Sequence, residues 1–111
     1  MTLLYDKIHQ VAAQAAGLPD GPDGFVDFDS NDETHRSAVV LTWSTYRLLG
    51  IDGGTAMTIL GVDSLPQTKN HPPIDLLRNI LDTAVRLEAE EWVGDEEIEV
   101  LEILCDNWLR R

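Results

Sequence analysis

The sequence holds a single cysteine, Cys105, which excludes an intrachain disulfide and a cysteine-based zinc cage. Its place within a helical apolar pattern makes it a packing residue rather than a reactive thiol. Positive charge is equally scarce. Eight lysines and arginines stand against 20 aspartates and glutamates, a formal charge of −12 at pH 7. That balance opposes direct binding to nucleic acid or to an anionic membrane surface and favours a protein partner with a basic surface. Solubility alone is the plainer use of such charge. No apolar run approaches the ~18 residues that cross a bilayer. The opening Met1-Thr2-Leu3-Leu4-Tyr5-Asp6 lacks the basic head and apolar stretch of a secretion signal, so the expected location is the cytoplasm. His9, His35 and His71 fall in separate segments with no His-x-x-x-His or Glu-x-x-His pair, so metal and acid–base chemistry have no local motif. The expectation is a non-enzymatic protein with no cofactor and no metal; a small enzyme or metal-binding module is the opposing class.

What is present suffices for a core. A chain of 111 residues, 43% apolar and 25% charged, is the size of one ordinary domain with globular composition. Leu4, Ile8, Val11, Ala12 and Ala15 repeat at helical spacing and predict a first helix over 3–16, ended by Gly17 and Pro19. Residues 17–33 form a loop rich in Gly, Pro and Asp, with one short alternating stretch at 25–28. Ser30 and Glu33 have the spacing of a capping box, which opens a second helix over 31–49. That helix carries too many apolar residues for one stripe and is expected to be central, with Trp43 in the core. Gly50 ends it, Asp52 or Thr55 caps a short third helix over 54–60, and Gly61 stops that one. Pro66, Pro72 and Pro73 mark an irregular connection. A fourth helix is expected to reach about Val93 with Ile74, Leu77, Leu81, Ala84, Val85 and Trp92 inward. A fifth, after Gly94, sets Asp95-Glu96-Glu97 at its positive end and Arg110-Arg111 at its negative end. It turns Ile98, Leu101, Leu104, Cys105, Trp108 and Leu109 inward. The fold class is all-α: a compact single domain of about five helices in an orthogonal or irregular bundle, with at most one short extended segment near 25–28.

The acidic residues are clustered. Nine lie within 88–106 and six within 20–33, with no lysine, arginine or histidine in either segment. Asp95, Glu99, Glu102 and Asp106 recur at i, i+4, i+7 and i+11 and so form one carboxylate ridge beside the apolar stripe. Glu88 and Glu91 precede it, and Asp27 and Asp29 lie in the acidic loop. These eight residues are the candidate partner-binding set; a solvated helix face is the plainer account of the ridge. Carboxylates at that spacing repel by about 0.7 kcal/mol per pair in water, a bearable cost. Were 88–106 one helix, its charges would fall about 3 Å apart, whereas duplex DNA carries one per ~1.7 Å. Mimicry of DNA would therefore need the acidic loop alongside or a second subunit in a homodimer. Trp92 and Trp108 sit beside this region, where an aromatic either packs into the core or anchors an interface.

Two motifs fail on inspection. Asp27, Asp29 and Asn31 match the first ligands of a calcium-binding EF-hand loop, but Asp32 stands where the glycine is needed and Ala38 where the closing glutamate is needed. A helix-turn-helix over 53–73 would carry Pro66 inside its recognition helix and has no basic patch. Within that stretch, Ala56, Ile59-Leu60 and Pro73-Ile74-Asp75-Leu76-Leu77 resemble the toxin-binding region of Xre/ParS-type antitoxins. The tryptophan that follows the short helix in that family is missing here. The resemblance implies an antitoxin or immunity protein that neutralises a toxin, the alternative to the leading expectation. That leading expectation is a protein-binding inhibitor covering a basic, nucleic-acid-binding type of surface, as anti-CRISPR or anti-restriction proteins do, reached by analogy of size, charge and helicity.

Overall fold

The computed structural model describes residues 3–17, 33–66 and 70–110, and the regular structure there is entirely helical. The helices are α1 (Leu3–Ala15), α2 (Glu33–Leu48), α3 (Gly53–Leu60), α4 (Ile74–Glu88) and α5 (Asp95–Leu109). The expected extended segment at 25–28 and the Ser30 capping box lie outside the described residues.

Helix α2 is central, as its apolar content predicts: residues 37–42 and 44–46 are all buried. Two of its buried polar residues, Thr42 and Thr45, donate to the carbonyls of Ala38 and Leu41, each at 2.8 Å. Such bonds to the preceding turn satisfy a hydroxyl without a tertiary partner. The buried Ser44 hydroxyl, by contrast, has no hydrogen-bond partner among the described residues. Helix α1 packs against both α2 and α4, burying Ile8, Val11, Ala12 and Ala15, and its alanines permit close approach. Tyr46 donates to the Tyr5 carbonyl at 3.1 Å, with the two rings edge-on at 5.4 Å. Burial, helped by the nearby Asp6 and Tyr5, pushes the Tyr46 phenol above its usual range. Leu76, Ile80, Leu101, Cys105 and Trp108 bring α4 and α5 into the same core. Trp43 departs from expectation and is only half-buried. Its Nε1 donates to the Gly53 carbonyl at 3.0 Å, and a Cβ on Gly53 would meet the indole at 3.3 Å. Trp43 thus wedges α2 against the start of α3, where any side chain in place of Gly53 would press on the indole.

His9, on the inner side of α1, gives the fold a pH dependence. Burial lowers its pKa from 6.5 to about 4, against the opposing pull of Asp6. Below pH 6.5 the unfolded chain takes up a proton at this site that the folded chain refuses until about pH 4. Unfolding is therefore increasingly favoured as pH falls through that window. Urea midpoints measured from pH 7 to pH 4 should decline, and His9→Gln should flatten the decline. An unchanged slope in the variant would remove His9 as the cause.

Three helices end in the same way. At α2, the Gly50 amide donates to Arg47 and the Ile51 amide to Tyr46; at α3, Gly61 donates to Thr58 and Val62 to Met57. Both glycines are left-handed, with φ of 91° and 83°. This is the Schellman closure. Helix α4 closes identically, with Glu90 donating to Leu87 and Glu91 to Arg86, but the left-handed residue is Glu90, at φ 61°. The helix therefore stops at Glu88 rather than near Val93. A left-handed non-glycine residue costs about 1–2 kcal/mol. Glu90→Gly should raise unfolding stability by about 0.5–1 kcal/mol in urea titrations, the remainder offset by the greater freedom of glycine in the unfolded chain.

The inward face of α4 also differs from expectation. Leu76, Leu77, Ile80, Thr83 and Ala84 are buried, whereas Ile74 is 52% exposed, Val85 46% and Trp92 84%. The helix carries two overlapping apolar rows about a quarter turn apart, and the row through Leu76 and Ile80 meets α1 and α2. At the far end, α5 stops at Leu109 and Arg110 is its cap residue rather than part of the last turn. Arg111 lies outside the described residues.

Candidate partner-binding surface

Helix α5 begins with its first-turn acids, Asp95, Glu96 and Glu97, where backbone N–H groups without helical acceptors favour negative charge. Glu97 reaches back to accept from the Gly94 amide, one half of a capping box. The other oxygen of its carboxylate accepts from Arg86 Nη1 at 3.1 Å. Arg86 also lies 3.6 Å from Glu91 and donates to the Trp92 carbonyl at 3.4 Å. The hydrogen bond it donates to Glu97 holds the guanidinium proton more firmly than usual. One arginine at the end of α4 thus clamps the turn that leads into α5.

That turn displays Trp92. A Cβ on Gly94 would come within 3.0 Å of the indole ring, so the ring rests on a glycine and stays 84% exposed. Along the outer side of α5, Val100 is 49% and Ile103 60% exposed. Trp92, Gly94, Asp95, Glu96, Glu97 and Val100 line one shallow groove.

The ridge lies on the next row of the helix. Asp95, Glu99, Glu102 and Asp106 are all exposed. Asp106 pairs with Arg110 at 3.3 Å; the other three have no cationic partner among the described residues. Glu91 answers Arg86 rather than extending the ridge. Glu88 closes α4 and lines a separate apolar groove with Leu4, Tyr5, Leu49, Ile51 and Val85. Asp27 and Asp29 lie outside the described residues. The structure therefore brings four of the eight candidate residues onto one face. It adds Trp92, Val100 and Ile103 beside them, which periodicity alone had assigned inward or left unassigned. The signal for the last two was available: Val100 and Ile103 fall off the row of Leu101, Cys105 and Trp108.

Cys105 and Trp108 are core residues. Burial, reinforced by Asp106, pushes the Cys105 thiol up to about 11, far from the thiolate that nucleophilic chemistry needs. The Trp108 Nε1 donates to the Asn70 carbonyl at 3.0 Å. Among the described residues no group of three or more His, Cys, Asp or Glu is arranged to hold a metal ion, and no helix is long and apolar enough to cross a membrane. Asp27, Asp29 and Asn31 of the EF-hand-like stretch fall outside the described residues, and Ala38, in the closing position, is buried in α2. Of the residues that resemble the antitoxin region, Ala56, Leu76 and Leu77 are spent on the core. No family model, curated protein or solved structure matches the chain.

Proposed function

We propose that the chain is a non-enzymatic binding protein that covers a basic surface of another protein with the outer face of α5 and the turn before it. One observation carries this reading: an exposed tryptophan, its carbonyl held by Arg86, shares a groove with Asp95, the first of three carboxylates along α5 that have no cationic partner among the described residues. Aromatic residues dominate interface energetics, and complementary charge speeds encounter and selects partners. Fixing Trp92 before binding lowers the ordering cost of association. An anti-CRISPR or anti-restriction inhibitor is the concrete form of the proposal, supported by size, charge and helicity. An antitoxin or immunity protein would use the same face against a basic toxin.

Plain mimicry of DNA finds less support. The helix that would carry the acidic run breaks between Glu88 and Asp95, and Arg86 and Arg110 offset three of its carboxylates.

The test is Glu99→Lys with Glu102→Lys, which reverses two exposed charges and leaves Leu101 and Cys105 to pack as before. The variant should fold with stability within about 0.5 kcal/mol of the parent. Captured on a surface and exposed to cognate lysate, the parent should retain a partner at low salt and release it at high salt. The variant should associate at least tenfold more slowly (about 1.4 kcal/mol in the encounter barrier), with a flattened salt dependence. Unchanged association at low salt would reduce α5 to a solvated face.

A further inference from the structure

We infer that the segment this face receives is a basic amphipathic helix of about two turns, laid along α5. The inference rests on the proposed reading that the partner is basic, and adds the shape and apolar content of what binds.

Val100 and Ile103, about one turn apart on α5, form an exposed apolar stripe (49% and 60%), and Trp92 (84%), in the turn before α5, shares a groove with Val100. Beside that stripe runs the row of Asp95, Glu99 and Glu102. On a helix of 3.6 residues per turn these rows lie about 100° apart and run parallel to the axis. What covers them must supply, side by side, a row of apolar groups and a row of cations. An extended strand finds no sheet edge among the described residues to pair with. Nucleic acid and anionic lipid are repelled by the carboxylates. A second copy of this chain would set the same acids against themselves, with −12 on each partner. A helix with leucine-like residues at i, i+3, i+4 and i+7 and lysine or arginine on the adjoining row meets both demands, packing at an axis separation of about 8–10 Å. The acidic row from Asp95 to Glu102 spans about 10 Å, so some eight residues of partner helix cover it.

The probe is a synthetic peptide of about 14 residues, built from leucine and lysine in helical periodicity. It is compared with a peptide of identical composition in alternating order and with oligolysine of equal charge. Binding to the full chain is followed by calorimetry and by tryptophan emission. The helical peptide should bind at least about tenfold more tightly than either control and shift the emission to the blue. Ile103→Ser and Val100→Ser should each weaken it severalfold, Trp92→Ala should abolish the emission shift, and Leu49→Ser, at an exposed apolar site in the other groove, should change nothing. Equal binding of all three cationic peptides would overturn the inference while leaving the basic-partner reading standing. Stripe variants that bind like the parent would do the same. Absence of binding by any of the peptides, with no response to salt, would overturn both. Sedimentation should show a monomer; a dimer dissolved by Ile103→Ser would show that a second copy covers the stripe and would also overturn the inference.

Discussion

Trp108→Ala should lower the unfolding free energy by about 3–5 kcal/mol, the range for removing a large buried aromatic side chain. A domain of this size holds only about 5–15 kcal/mol in total, so the variant should lose a large share of its stability. The physical reason is position. Trp108 is 3% exposed and shares one core with Ile80, Leu101 and Cys105, and its Nε1 donates to the Asn70 carbonyl, tying the end of α5 to the connection before α4. Trp108→Phe separates the two contributions, because it keeps most of the apolar contact and removes the donor. Asn70 is exposed, so water can satisfy its carbonyl, and the hydrogen bond alone should account for about 1 kcal/mol. Urea titration followed by circular dichroism reads both variants. A cost under about 1 kcal/mol for the alanine variant would mean that α5 is held by its other contacts.

The sequence made the helices legible wherever glycine closes them. Gly17, Gly50 and Gly61 are all left-handed, and the helix ends they mark fall within two residues of expectation. Asp52 caps α3 through the Thr55 amide at 3.0 Å, a role its residue type and place foretold. The stop in α4 was illegible because Glu90 fills the left-handed position that a glycine would announce. With no such signal, the helical pattern runs on to Gly94 and carries Trp92 onto an inward row. The second failure in α4 has another origin: two apolar rows share Leu77, Leu81 and Ala84, and periodicity cannot say which neighbour each row meets. The carboxylate ridge was legible because it needs only the phase of one correctly bounded helix. Of its neutral companions, Val100 and Ile103 were legible from the same phase, since they fall off the row of Leu101, Cys105 and Trp108, whereas Trp92 was not, because the helix end that sets it outside α4 carries no glycine signal.

Trp92→Ala should weaken binding to the captured partner by at least thirtyfold, equivalent to about 2 kcal/mol, the lower bound for a dominant interface residue. Stability should stay within about 0.5 kcal/mol of the parent, because the ring is 84% exposed and contributes little to the core. The loss should fall on dissociation. An apolar anchor acts once the surfaces are in contact, whereas carboxylates such as Glu99 and Glu102 act at a distance during encounter. Surface plasmon resonance distinguishes the two: Trp92→Ala should raise the off-rate and leave the salt dependence of the on-rate intact, the reverse of the double charge reversal. Gly94→Ala adds a test of pre-organisation. Its Cβ would crowd the Trp92 ring at 3.0 Å and the Glu97 carboxylate at 3.2 Å, displacing the indole from its seat without deleting it. Affinity should fall by several-fold even though the tryptophan remains, because the displaced ring must be ordered again on binding. If Trp92→Ala dissociates no faster than the parent, the indole is a bystander, and the binding energy must come from the carboxylates or from the groove between α1, α2 and α4.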